Sequence, residues 1–206
     1  MGIKLIQIWE HHWVENRNPL ENYLIDIFGN KTRIFARKCG IKKIDSTSER
    51  EFLNDNHLQG YNASTVCYGL YFDSILLQVM SFKKSKKGFE INRLCTKSKY
   101  TIIGGTKRLF NSFIKEYRPS FISTYSSNDY FTGDIYKELG FELKKITQPG
   151  YFYFRKIGDI LSREKCQKHK LVKMGYNSEK SERQIMSELG YVIVYNSGNK
   201  YFEWIA

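Results

Sequence analysis

Tyr136-Lys137-Glu138-Leu139-Gly140-Phe141-Glu142 reads as the end of a helix that runs directly into a strand, and this stretch decides how the chain around it is parsed. Gly140 follows Leu139 where a helix needs a left-handed residue to stop, a conformation open to glycine because it has no Cβ to clash. Working back, residues 89–95 read as a strand and a glycine-containing loop follows. Residues 106–117 have helical spacing closed off by Pro119, and residues 121–125 form a second strand before the helix that ends at Leu139. Residues 141–146 and 151–155 read as a strand pair broken by Pro149-Gly150. Strand, glycine loop, helix, strand, helix, strand is an α/β order, here predicting a mixed sheet of α+β character.

Further upstream, residues 65–72 and 74–82 form a hairpin turning at Asp73, and a capping box of Ser48 and Glu51 opens a short helix ending near Asn56. Residues 33–44 partly alternate apolar and cationic side chains, as in a ribbon with one basic face. Residues 4–9 read as a strand, and residues 20–28 as a helix with Pro19 in its first turn and Gly29 beyond its end. Past residue 155 lies a basic tract, then a helix over residues 179–189 and a small hairpin of residues 191–195 with 200–204. The parsing gives an N-terminal βα unit and basic ribbon (1–46), a central domain (47–155) and a basic C-terminal helix and hairpin extension (156–206).

With 41% hydrophobic and 16% aromatic residues among 206, the chain is built to bury a core, which excludes intrinsic disorder. Thirty-three Lys and Arg stand against 21 Asp and Glu, a net charge of +12, and such an excess attracts polyanions. DNA is the expected partner. The expected phosphate contacts are Arg33, Arg37, Lys38, Lys42 and Lys43 on the ribbon, and Lys83, Lys84, Lys86 and Lys87 after the hairpin. The C-terminal tract adds Arg155, Lys156, Arg163, Lys165, Lys168 and Lys170, with Lys173 beyond them. No apolar run reaches bilayer length and the first residues lack a secretory pattern, so a cytoplasmic protein with no membrane partner is expected. Gly2 is not followed by the Ser or Thr of a myristoylation signal. Cys39, Cys67, Cys95 and Cys166 are widely spread with no CxxC pair, which fits structural, reduced thiols.

Residues 47–155, with the Tyr-Lys-Glu-Leu-Gly-Phe stretch, resemble the GNAT N-acetyltransferase superfamily. That resemblance implies a GNAT-like domain and acetyl-CoA or another acyl donor as cofactor, with its pyrophosphate bound by Thr101, Gly104, Gly105, Thr106 and Lys107 and further contacts from Leu94 and Cys95. The loop departs from the superfamily's pattern at two places, with Thr101 first and Thr106 last. Tyr136 falls where many members carry the tyrosine that protonates the departing thiolate. Glu90-Ile91-Asn92-Arg93-Leu94, Asp129, Gly133 and Tyr136 also resemble the bacteriophage Mom family, GNAT-like proteins that modify adenine in phage DNA, which places Arg93, Asp129 and Tyr136 in a reactive cleft.

On a regular strand Glu90 and Arg93 face opposite ways, so both enter one cleft only if a bulge intervenes. An Arg93–Asp129 ion pair is the structural alternative. His57, in Asn56-His57-Leu58-Gln59-Gly60, is the other catalytic candidate, as a neutral imidazole taking a proton from an amine or as a metal ligand. Glu10, His11 and His12 invite a metal reading, but neighbours on a strand point apart. The ends of the chain, Ile6-Gln7-Ile8-Trp9-Glu10-His11-His12-Trp13, together with Arg37-Lys38-Cys39, the His57 segment, Glu182 and Tyr195-Asn196-Ser197-Gly198-Asn199-Lys200-Tyr201, resemble the C-terminal part of phage Vsr-like homing endonucleases. No nuclease carboxylate cluster stands upstream in the expected order. Three readings stay open: a Mom-like transferase adding an acyl or aminoacyl-derived group to a DNA base, a non-catalytic DNA-binding module, and an acetyl-CoA-dependent N-acetyltransferase.

Overall fold

The computed structural model describes residue 6 and residues 8–206. Its N-terminal elements are α1 (Glu10–Glu15), α2 (Arg17–Phe28), β1 (Thr32–Phe35), a 3₁₀ turn (Ala36–Lys38), β2 (Gly40–Ile44) and α3 (Ser46–Asn56). The central run is β3 (Val66–Phe72), β4 (Ile75–Lys84), β5 (Phe89–Thr96), β6 (Tyr100–Ile103), α4 (Gly105–Tyr117), β7 (Phe121–Ser127), α5 (Asp134–Glu138) and β8 (Glu142–Ile146). Then come β9 (Tyr151–Lys156), β10 (Asp159–Ser162), α6 (Lys168–Lys173), α7 (Glu182–Glu188), β11 (Val192–Tyr195) and β12 (Asn199–Ile205).

Seven strands form the main sheet in the order β2-β3-β4-β5-β7-β12-β8. The first four are antiparallel neighbours, and Asp73 and Ser74 at the β3–β4 turn take φ of 48° and 65°, the left-handed pair that lets a two-residue turn follow strand twist. β5 and β7 are parallel, joined by α4. α4 buries Thr106, Leu109, Phe110 and Phe113, an i, i+3, i+4, i+7 stripe, against Tyr68, Leu70, Met80 and Phe82 on one sheet face. Phe82 and Phe113 stack with centroids 3.6 Å apart, and each buried ring contributes about 1.5–3 kcal/mol by leaving water. The alternate residues Cys67, Val79 and Cys95 meet Phe52 and Leu53 of α3 on the other face.

Two compact units result. One comprises Asn16–Ser126, Gly133–Lys145 and Lys200–Ala206; the other comprises the described residues through Glu15, Ser127–Thr132 and Ile146–Asn199. The second has its own core of Tyr153, Cys166, Leu171, Ile185 and Met186 beside the sheet β10-β9-β11.

Several expected elements take other forms. Lys4, Leu5 and Gln7 of the expected first strand lie outside the described residues, and Ile8 and Trp9 are not in a strand; Glu10, His11 and His12 stand on α1. The basic ribbon is two strands interrupted by the 3₁₀ turn, with β1 pairing to β6 and β2 to β3. Asp45, not Ser48, caps α3, its carboxylate accepting from the Thr47 and Ser48 amides at 3.0 and 2.9 Å. β8 and β9 belong to different sheets, and β11 pairs with β9 while β12 enters the main sheet. The tract between β8 and β12 is thus inserted between two neighbouring strands of the main sheet rather than appended after it. All four cysteines are buried and unbridged.

Candidate acyl-transfer site

The β5–β7 ladder contains only Phe89↔Ile122 and Glu90↔Ser123. Both strands continue, β5 to Thr96 and β7 to Ser127, so beyond these pairs they part. Side chains cover the first carbonyls past the split: the Thr124 hydroxyl donates to Ile91 O at 3.2 Å and the Arg93 guanidinium to Asn92 O at 2.9 Å. The backbone amides beyond that point have no ladder partner on β7.

β5 also carries an extra residue. Ser81 pairs with Arg93 and Phe82 with Ile91, leaving Asn92 as a bulge. Ile91 and Leu94 accordingly both pack on the α4 side of the sheet, while Cys95 packs with α3. The bulge returns Arg93 to the face of Glu90, the arrangement that a regular strand forbids. Asn92 locks it in place, donating to Asn62 O and accepting from Asn62 Nδ2 at 2.8 and 2.7 Å. Arg93 Nε donates to Gly60 O at 3.0 Å, so residues 57–64 are fastened along this part of β5.

Arg93 finds carbonyl partners in its own unit in place of the expected Asp129. Asp129 belongs to the second unit, where its carboxylate accepts from Ser197 N at 3.0 Å and Ser127 Oγ at 3.3 Å. Burial, opposed by Lys83 and Arg93, pushes the Glu90 carboxyl above the ordinary carboxylate range. Tyr136 packs edge-on to Phe141 and tilted to Phe202; burial pushes its phenol up, while a hydrogen bond with Thr124 and the charge of Arg93 work the other way. The phenol therefore stays protonated at neutral pH and can give up a proton to a stronger base. His57 is different: burial first and Arg93 second lower its pKa to about 4, and its Nδ1 accepts from Gln59 N at 3.1 Å. An imidazole of that weak basicity, with its lone-pair nitrogen engaged, is a donor through Nε2 rather than the proton acceptor expected from the sequence.

At the N-terminus of α4, the end that follows the C-terminal part of β5, lies a candidate anion cradle. Gly104 caps the helix at φ 77° with no side-chain acceptor on the first-turn amides, the state in which a helix N-terminus favours an anion. A cavity of about 380 Å³ opens here, lined by Ile102, Gly104, Gly105, Thr106, Lys107, Ile135, Glu138 and Leu139. Gly105 has no space for a side chain, since a Cβ would lie 2.2 Å from Gln78 Oε1. The unusual Thr106 is turned inward: its hydroxyl accepts from Gln78 Nε2 at 3.1 Å, and the same amide nitrogen donates to Thr96 at 2.9 Å. Gln78 Oε1, buried against Gly105, makes no hydrogen bond among the described residues.

Of the other expected donor contacts, Thr101 is exposed on β6, while the Leu94 and Cys95 side chains face the two cores, and burial pushes the Cys95 thiol up to about 12. Sequence reasoning missed Gln78 and Thr124, and set Glu90 and Arg93 apart. A lone glutamine in Leu76-Leu77-Gln78-Val79-Met80 was the available signal for the first.

The expected phosphate-contacting cations are exposed except Lys170, which is partly buried, and some are already engaged. Lys43 bonds Glu116, Arg155 pairs with Asp159 at 2.6 Å, and Lys170 donates to Glu164 O at 2.7 Å. Arg163 lies over the Tyr151 ring at 5.0 Å.

No family model matches the chain, and no curated protein matches it in sequence. Its fold does have counterparts. The chain is similar to the ribosomal-protein-S18-alanine N-acetyltransferase of Escherichia coli at TM-score 0.51 and 9% identity, over 81% of this chain and 93% of that one. It is also similar to a Bacillus subtilis acetyltransferase in complex with CoA (TM-score 0.49, 13% identity, 82% and 99% covered). A GNAT family acetyltransferase from Elizabethkingia anophelis with acetyl-CoA bound gives 0.48 and 11%, again with 82% and 99% covered. The mixed sheet, with two parallel strands that part and a helix opening at Gly104, defines an α/β domain of α+β character. The fold is that of the GNAT acetyltransferases.

Proposed function

We propose that this protein is an N-acyltransferase that takes an acyl group from acyl-CoA and passes it to an amine. The observation that carries the reading is the pairing of a glycine-floored helix N-terminus that no side chain caps with two parallel strands that part beside Glu90, Arg93 and Tyr136. The cradle suits a pyrophosphate, and the unpaired strand edges suit an extended amide-bearing arm. In the reaction the amine nitrogen bonds to the thioester carbonyl carbon and the carbon–sulfur bond breaks. Tyr136 gives its phenolic proton to the leaving thiolate, and Glu90 takes the proton shed by the amine.

The test is calorimetric titration with acetyl-CoA, followed by acetyl transfer to a panel of amines and peptide N-termini read by mass spectrometry. Tyr136→Phe is expected to lose about a hundredfold or more in turnover with donor binding intact, the size of a general-acid contribution. Glu90 acts as a carboxylate, so the rate falls as pH drops through its raised pKa, and Glu90→Gln removes that acid limb. Absence of heat and of thermal stabilisation at saturating acetyl-CoA ends the reading.

A second reading keeps the chemistry and makes the acceptor an amine of a DNA base. It is supported by the net charge of +12 and by residues 163–173, where Arg163, Lys165, Lys168, Lys170 and Lys173 stand against Glu164 alone. A mass increment on DNA nucleosides from expressing cells, lost with Tyr136→Phe, is its expected result; unmodified nucleosides exclude it and leave the first reading standing.

A further inference from the structure

We infer that the 3₁₀ turn Ala36–Lys38 reads the 3′-phosphate on the adenosine end of the donor, so that the protein selects CoA thioesters over donors lacking that phosphate. The inference rests on the acyl-CoA reading and assigns a role to a segment that this reading leaves unused.

The turn is held against the anion cradle from two directions. β1 pairs in parallel with β6 in the register Ile34↔Ile102 and Phe35↔Ile103, so Ala36 leaves β1 at the level where Gly104 leaves β6. Ala36 is buried, and a Cβ on Gly104 would lie 3.9 Å from its methyl group. From α4, the Arg108 guanidinium donates to Ala36 O and, at 3.0 Å, to Cys39 O. This arginine is occupied as a clamp and Lys107 lines the cradle itself, so a further phosphate beside the cradle falls to the turn's own cations.

Those cations are Arg37 and Lys38, both exposed. Arg37 lies 5.1 Å over the Phe35 ring, a cation–π contact within the same segment. Residues 31–44 contain six Lys and Arg and no Asp or Glu. Among the described residues, ion pairs engage Lys31 and Lys43 of this segment but neither Arg37 nor Lys38. Two exposed cations without an ion-pair partner among the described residues, beside a cradle for two phosphates, suit a third phosphate on the same ribose, and CoA carries its pyrophosphate and its 3′-phosphate on one ribose. A phosphopantetheine arm without the nucleotide would leave the turn without a ligand.

The experiment compares CoA with 3′-dephospho-CoA by calorimetry, on the unaltered protein and on Arg37→Gln/Lys38→Gln. Both side chains are exposed, so the variant is expected to melt as the parent does without ligand. CoA should bind the parent about tenfold tighter than 3′-dephospho-CoA, as charge-assisted hydrogen bonds to a phosphate warrant. The variant should erase that ratio by weakening CoA alone. Equal binding of both ligands by the parent, or a ratio that survives the double substitution, overturns the inference while leaving the acyl-CoA reading intact. Failure of either ligand to bind the parent overturns the reading itself. A variant that keeps the ratio but loses retention on duplex DNA reassigns the two cations to nucleic acid.

Discussion

His57 couples the site to the stability of the fold. Its folded pKa of about 4 lies below the ordinary histidine value of 6.5, so between those values the unfolded chain binds a proton that the folded chain refuses. The stabilisation is complete above pH 6.5 and is lost as pH falls toward 4, amounting to about 3 kcal/mol over the interval. Denaturant unfolding at pH 7 and pH 4.5 should show the parent losing about 2–3 kcal/mol more than His57→Gln, which cannot take up the proton. Equal losses would mean that this imidazole is solvated. Parts of the candidate site are legible at this scale: Gly104 and Gly105 announce themselves by spacing, and Tyr136 by the Leu-Gly-Phe after it. Glu90 and Arg93 were not readable as partners, because a bulge is set by the neighbouring strand's register and strand alternation argues against it. Thr106 departs from the loop pattern for a reason the local sequence does not carry: Gln78, 28 positions away, donates to its hydroxyl.

The parting of β5 and β7 depends on what replaces the lost ladder. Thr124 is buried, and its hydroxyl covers the Ile91 carbonyl at the point of separation. Thr124→Val keeps the shape and removes the donor, so a buried carbonyl is left without a partner; the expected cost is about 1–3 kcal/mol. Thr124→Ser should restore most of it, and equal denaturation midpoints for all three proteins would show that the split does not need this bond. Elements with local signals were legible in the sequence. α2 has Pro19 and Gly29, α4 has its stripe and the following Pro119, and the β3–β4 hairpin has its turn at Asp73. Pairings between distant strands were not. β11 and β12 look like a hairpin, being separated by Asn196-Ser197-Gly198, yet each finds a partner elsewhere, because strand patterning specifies a buried face and not which edge will cover it. β6 and β10 are four-residue strands, too short for periodicity to mark.

At the scale of the whole chain, the seven-stranded main sheet is interrupted in sequence between two strands that neighbour each other. The tract between β8 and β12 begins and ends at one place: Thr147 N donates to Asn199 O at 2.8 Å, and Asn199 N donates to Thr147 Oγ1 at 2.9 Å. The core residues Tyr153, Cys166, Leu171, Ile185 and Met186 all fall inside that tract, and the two cores flanking the main sheet draw on none of its residues. Each cluster therefore draws its buried residues from one side of this division, and the candidate cradle, the split and the 3₁₀ turn all lie outside the tract. Replacing residues 148–198 by Asn-Gly, a two-residue turn that suits adjoining strands, is expected to leave a cooperatively folding protein that binds acetyl-CoA within about threefold of the parent, a change below 1 kcal/mol. If nucleic acid is the acceptor, the same protein should lose most of its salt-sensitive retention on DNA, because Arg163, Lys165, Lys168, Lys170 and Lys173 go with the excised tract. Loss of acetyl-CoA binding in a shortened protein that still melts cooperatively would place a donor contact inside the tract, and undiminished DNA retention would move the polyanion surface to the lysines and arginines of the main unit.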